Sequence, residues 1–95
     1  DLQQNAVRRG AQFHELLADE RLPGVVDVRG RGLMLAVEFD TADRREAVLR
    51  QALRRGLLTL GCGHSTLRVL PPLDVTEREL RLGVDLLVES IRAAA

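Results

Sequence analysis

The chain contains no lysine. All 14 of its basic residues are arginine, set against 14 acidic residues for a formal net charge of zero. Any reaction that runs through a lysine amine, the nucleophile that forms Schiff bases with carbonyl compounds, is therefore closed to these 95 residues alone. Tryptophan and tyrosine are absent too, and Phe13 and Phe39 are the only aromatics. With acids and arginines interspersed, there is neither a basic footprint for nucleic acid nor a platform on which bases could stack. A single cysteine, Cys62, excludes an internal disulfide and suits a reducing compartment. No apolar run approaches the length of a membrane span, and no basic-then-apolar leader is visible. A leader would in any case lie upstream, because the chain starts at Asp1 without an initiator methionine, as expected of an excised domain or processed fragment.

What is present is a core-forming composition. The hydrophobic fraction is 45%, rich in leucine and valine, over a length that suits one domain. From Leu2 to about Glu20, the residues Leu2, Ala6, Gly10, Phe13 and Leu17 step by three or four and mark one face of a helix, with Gly10 allowing close backbone approach. Leu22, Pro23 and Gly24 break the pattern. Val26 and Val28 then alternate with Asp27 and Arg29 as in a half-buried strand. Leu33, Leu35, Val37 and Phe39 line one face of another, and Gly30 to Gly32 form a hairpin or tight bulged turn between the two.

Asp40 or Thr41 caps a second helix that runs to Arg55, with Val48, Leu49, Ala52 and Leu53 as its buried stripe and Gly56 as its left-handed stop. Leu57 to Leu60 reads as a short apolar strand, followed by a connection from Gly61 to Thr66 and a strand that carries Arg68. The last helix has the clearest start signal: Thr76 and Glu79 make a capping box, and Val75 and Leu80 occupy the staple positions. Leu80, Val84, Leu87 and Ile91 follow as its inward face. The order helix, two strands, helix, two strands, helix predicts an α+β fold, a small three- or four-stranded, largely antiparallel sheet covered by helices on one face, with residues 1–95 as a single domain.

Chemistry concentrates between Gly61 and Leu73, in the stretch GCGHSTLRVLPPL. Arg68 lies between Leu67 and Val69, so strand alternation turns its side chain away from both. Pro71 and Pro72 supply no backbone donors and end the strand just after it. Alone in a strand, such an arginine reads as a solvated face residue; beside a glycine-lined turn, its planar fork suits a carboxylate. Gly61 and Gly63 let the backbone turn tightly beside a ligand. Cys62, Gly63 and Ser65 are candidates for the pocket wall, with ordinary turn packing as the alternative.

This stretch also resembles a known family. The cysteine-glycine turn, the arginine five residues after Gly63, the Pro-Pro-Leu and the Thr-x-x-Glu helix start resemble the C-terminal end of class III (omega-amino acid) pyridoxal-phosphate-dependent aminotransferases. Earlier, VRGRGLMLAVEF from Val28 to Phe39 resembles the Arg-Gly-x-Gly-Leu-Met segment of the same family, in the same order and at a fitting distance. The resemblance covers nearly all of the chain but only the last part of such an enzyme. It implies the small C-terminal domain of a fold-type I enzyme and a complete protein that is a cytoplasmic homodimer using pyridoxal phosphate. That protein would move an amino group from a 4-aminobutyrate-like, ornithine-like or lysine-like donor to 2-oxoglutarate. The arginine matching Arg68 would grip the α-carboxylate of glutamate or 2-oxoglutarate. With no lysine, the chain would bind no cofactor of its own and would be inactive alone. Neither nucleic acid nor membrane is expected as a partner. The rival reading is a stand-alone small-molecule-binding or regulatory α/β module, which no residue of the chain excludes.

Other residues take plainer readings. Cys62 and His64 lack the partners for a metal site, since His14 lies on a distant helix. Arg29 to Gly32 has glycine spacing but no following helix to receive a pyrophosphate, so turn geometry explains it. Met34 reads as packing, and the pairs Arg44, Arg45 and Arg54, Arg55 read as solvated helix faces.

Overall fold

In a computed structural model, which describes residues 1–95, the elements follow in the order α1 (Leu2–Ala18), β1 (Val25–Arg31), β2 (Met34–Phe39), α2 (Ala42–Arg54), β3 (Thr59–Cys62), β4 (Thr66–Val69) and α3 (Glu77–Ala93). The four strands form one sheet in the order β1-β2-β4-β3, and every neighbouring pair is antiparallel. Helices cover one face of it, as the pattern predicts for an α+β domain. α1 lies across β1, α2 lies across the β3 side, and α3 packs against both other helices.

Strand parity builds the core. Leu35, Val37 and Phe39 of β2 and Leu67 and Val69 of β4 all point to the helices and are buried. Phe13 and Leu17 of α1, Val48 of α2, and Leu80, Val84, Leu87 and Ile91 of α3 close over them in one cluster. The same parity sends Met34, Ala36, Glu38, Thr66 and Arg68 to the opposite face, which no helix covers. Met34 is therefore 64% exposed rather than packed.

The helix ends follow local chemistry. The Thr41 hydroxyl accepts from the Arg44 amide, and α2 stops at Gly56, whose φ of 79° only glycine adopts without strain. At α3 both halves of the capping box are made, Glu79 N–H to Thr76 Oγ1 at 3.1 Å and Thr76 N–H to Glu79 Oε1 at 3.0 Å. The staple residues Val75 and Leu80 are both buried. Asn5 of α1 bolts down the loop before α3 by donating to the Leu73 and Val75 carbonyls.

Four details depart from the sequence reading. A bulge between Val25 and Asp27 shifts the register of β1, so Val25 rather than Val26 joins Val28 on the core side and Val26 is turned out. The strand expected at Leu57 to Leu60 is displaced to Thr59–Cys62, because Leu57 still belongs to the exit of α2: its amide bonds to the Ala52 carbonyl. Leu53 is 66% exposed, one step beyond the buried stripe of Val48 and Ala52. The β1–β2 hairpin turns on Gly32 and Leu33 alone, with Arg31 already paired to Met34. Gly32 supplies the positive φ there, whereas Gly30 serves a different end: a β-carbon on it would collide with the Gly10 carbonyl of α1.

Candidate functional site

The uncovered face of the sheet carries polar chemistry in rows set by the strand register. One row runs Arg29, Ala36, Arg68, Leu60 across β1, β2, β4 and β3; the next runs Asp27, Glu38, Thr66, Cys62. Arg68 thus stands on an inner strand between an alanine and a leucine, neither of which offers it a polar partner. Its side chain is half-buried and makes no hydrogen bond or ion pair. The small Ala36 side chain leaves room beside the guanidinium on the β2 side.

Arg29, in the same row, is differently placed. Its Nη1 lies 2.8 Å from Asp27 Oδ2 and 3.3 Å from Glu38 Oε1, and these contacts raise its pKa above the ordinary value, the Asp27 hydrogen bond leading. The two acids occupy Arg29 and leave Arg68 as the inner-strand cation of this face with no acid of its own. A carboxylate approaching the sheet would find its counter-charge at Arg68.

The other candidate residues gather at the adjacent hairpin. Cys62 ends β3, exposed on the same face as Arg68 and diagonal to it across the β3–β4 ladder. Gly63, His64 and Ser65 form the turn, and Gly63 has a φ of 59°. Ser65 is half-buried, and its carbonyl accepts from the Phe39 amide at 2.9 Å, which ties the turn to the end of β2. Ser65 lies three residue steps before Arg68, about 10 Å along the strand. The structure therefore sets Arg68 and Cys62 on one face as diagonal neighbours and places Gly63 and Ser65 at the rim of the same hairpin. His64 is exposed, His14 is exposed on α1, and no group of three acidic, histidine or cysteine side chains converges as metal ligands would. No helix is long and apolar enough to cross a membrane.

One participant was not visible from the sequence. Arg45, read there as a solvated helix residue, has a side chain only 12% exposed and reaches from α2 beneath β3 to the carbonyls of Thr66 (2.9 Å) and Cys62 (3.4 Å). Arg44 and Arg55 are also drawn in, toward Asp40 and toward Gln51 and Glu89; only Arg54 of the two pairs lies fully exposed. Helical periodicity cannot signal the Arg45 contacts, because their acceptors are backbone carbonyls of other elements, whereas Arg44–Asp40 and Arg55–Gln51 are ordinary i, i+4 pairs.

With no lysine and no other amine but the N-terminus, the chain's side chains do not fit pyridoxal phosphate as a covalent group. They offer an arginine without an acid partner and a glycine-containing turn.

Comparison with known proteins converges on one family. The profile of the Aminotransferase class-III family matches residues 1–91. An L-lysine-epsilon aminotransferase of Amycolatopsis lactamdurans is 45% identical over 96% of the chain, and the acetylornithine aminotransferase of Bacillus subtilis is 38% identical over 96% of it. Among solved structures, an ornithine aminotransferase from Toxoplasma gondii superposes with a TM-score of 0.87 at 33% identity over 98% of the chain. The lysine aminotransferase of M. tuberculosis, in its internal aldimine form, gives 0.81 at 32% identity over 99%. The chain spans 21% to 23% of the length of these four proteins. On the fold, the profile and the identities together, the chain belongs to the class III aminotransferases, a family of enzymes, and matches only part of them.

Proposed function

We propose that residues 1–95 form the small C-terminal domain of a pyridoxal-phosphate-dependent class III aminotransferase that acts as a cytoplasmic homodimer. The complete enzyme transfers an amino group from an omega-amino acid donor, 4-aminobutyrate-like, ornithine-like or lysine-like, to 2-oxoglutarate. Arg68 holds the α-carboxylate of 2-oxoglutarate, and of the glutamate it becomes, while Cys62, Gly63 and Ser65 line the neighbouring wall. The observation that carries this reading is the half-buried Arg68 without an acid partner, in the same row as an Arg29 that two acids already hold. A planar fork makes two charge-assisted bonds to a carboxylate and fixes its orientation as well as its position.

Pyridoxal phosphate, when bound, supplies the electron sink that lets an amino group leave one carbon and join another. This chain's part is to orient the acceptor. The lysine that anchors the cofactor lies outside it, and nothing about the open face favours a stand-alone regulatory module over that role.

The test is an acceptor and donor screen on the complete enzyme. Glutamate should form from 2-oxoglutarate with lysine, ornithine, acetylornithine or 4-aminobutyrate as donor. Absence of glutamate with every one of these donors would contradict the reading.

A further inference from the structure

We infer that Arg45 is a positioning residue for the acceptor-carboxylate site, acting through the β3–β4 hairpin; the inference rests on the proposed role of Arg68. Arg45 leaves the first turn of α2 on the covered side of the sheet, opposite to the face that carries Arg68 and Cys62. Its Nη1 donates to the carbonyls of Thr66 and Cys62, the last paired residues before the turn. Its Nε lies 2.9 Å from Glu46 Oε1, an ion pair out of line for a hydrogen bond, so the directed contacts of this guanidinium go to the hairpin backbone.

Gly61 makes this reach possible. A β-carbon there would lie 2.9 Å from Arg45 Nη1 and 3.1 Å from its Cζ, so the guanidinium occupies the space that a side chain on the edge strand would take. β4 is held along its length by β2, but the β3 side and the turn have little else to hold them. β3 is a four-residue edge strand, exposed along Leu60, Gly61 and Cys62, and the turn's other anchor is the Phe39 amide on the Ser65 carbonyl. One contact fixes the turn from β2 and the other from α2. Charged donors to backbone carbonyls are the stronger kind of hydrogen bond, and a partly covered pair is screened less than a surface one. Removing the α2 anchor frees the wall that faces Arg68 to drift, and small errors in placement weaken a two-point grip on a carboxylate out of proportion to the displacement.

The experiment uses the complete aminotransferase with the variants Arg45→Met, Arg45→Lys and Gly61→Ala, the double variant Arg45→Met/Gly61→Ala, and Arg68→Ala for reference. Two readouts are taken: amide hydrogen exchange over residues 62–67, and the half-reactions with 2-oxoglutarate and with donor. Arg45→Met should speed exchange across the turn and raise KM for 2-oxoglutarate by about tenfold, leaving the donor half-reaction near wild type. Arg45→Lys should recover part of both effects. Gly61→Ala keeps every charge and closes the lane the guanidinium uses, so it should reproduce the phenotype should Arg45→Met fold poorly. The double variant should then be no worse than Arg45→Met alone. Unchanged exchange over residues 62–67 overturns the clamp. Faster exchange with an unchanged 2-oxoglutarate KM, where Arg68→Ala does raise it, overturns the link to the site and leaves the proposed function standing. If Arg68→Ala also leaves that KM unchanged, the reading of Arg68 fails and takes the inference with it.

Discussion

Gly10 and Gly30 meet backbone to backbone: the Gly10 carbonyl of α1 fills the space that a β-carbon on Gly30 of β1 would need. The contact is reciprocal in kind, since a β-carbon on Gly10 would run into the Gly32 carbonyl at the hairpin turn. Three glycines thereby let α1 settle directly on the β1–β2 hairpin, which seats Phe13 and Leu17 in the core.

This contact reverses an ordinary expectation. In an open helix, Gly10→Ala would stabilise by roughly 0.5–1 kcal/mol through backbone entropy. Here the methyl meets backbone that cannot yield, and overpacking of this kind costs about 1–3 kcal/mol, so Gly10→Ala and Gly30→Ala should both destabilise. Gly83 in α3 is the internal control. Its nearest neighbour for an added β-carbon is Leu57 Cδ1 at 3.9 Å, an ordinary contact, so Gly83→Ala should stabilise by roughly 0.5–1 kcal/mol. Urea unfolding of the three variants checks both signs; a stabilised Gly30→Ala would mean that α1 does not sit on the hairpin.

The α3 cap gives a second stability prediction. Thr76→Ala removes the acceptor for the Glu79 amide and should cost about 0.5–2 kcal/mol in denaturant unfolding. No change beyond error would place the start of α3 elsewhere.

Glu79 should also report its cap through pH. Hydrogen bonding from the Thr76 backbone, then from its side chain, holds the Glu79 carboxyl below its ordinary value of 4.5. The folded state therefore binds this proton less readily than the unfolded chain. The resulting stability is present above 4.5 and fades as pH falls through the lower folded value. Urea midpoints of wild type and Glu79→Gln should differ at neutral pH and converge in acid. A difference that persists or grows in acid would contradict the charged hydrogen bond.

The missing lysine makes a direct prediction for the chain itself. Mixed with pyridoxal phosphate, the 95 residues should give no saturable absorbance change beyond an adduct at the N-terminal amine, and no transaminase turnover. Turnover by the purified chain would show that the family's chemistry is supplied by some other group.

What could be read in the sequence was whatever local chemistry decides. The alternation Leu35, Val37, Phe39 and the Thr76–Glu79 box each name their own structure, because parity and capping act within a few residues. The four-residue apolar run Leu57 to Leu60 does not, since it fits a strand or a helix exit equally well, and the structure divides it between the two. Val26 was misassigned because a bulge breaks parity without leaving a residue-type signature. For the site, parity alone sent Arg68 to the face opposite Leu67 and Val69. Its row neighbours Ala36 and Arg29 come from strands far away in sequence, and Arg45 is directed by a gap at Gly61 on another element. Such relations exist only once the sheet is formed.

The central claim is that Arg68 holds the acceptor's α-carboxylate, and single-turnover measurement of the two half-reactions in the complete enzyme tests it most directly. Arg68→Lys keeps the charge but loses the paired geometry, and should weaken 2-oxoglutarate binding in a folded protein. Arg68→Ala removes the counter-charge altogether. Lost charged hydrogen bonds of about 1.5–3 kcal/mol correspond to a roughly tenfold to hundredfold fall in kcat/KM for 2-oxoglutarate, with the donor half-reaction much less affected. Unchanged 2-oxoglutarate kinetics in a folded, cofactor-loaded Arg68→Ala enzyme would contradict the account and return Arg68 to the status of a surface residue.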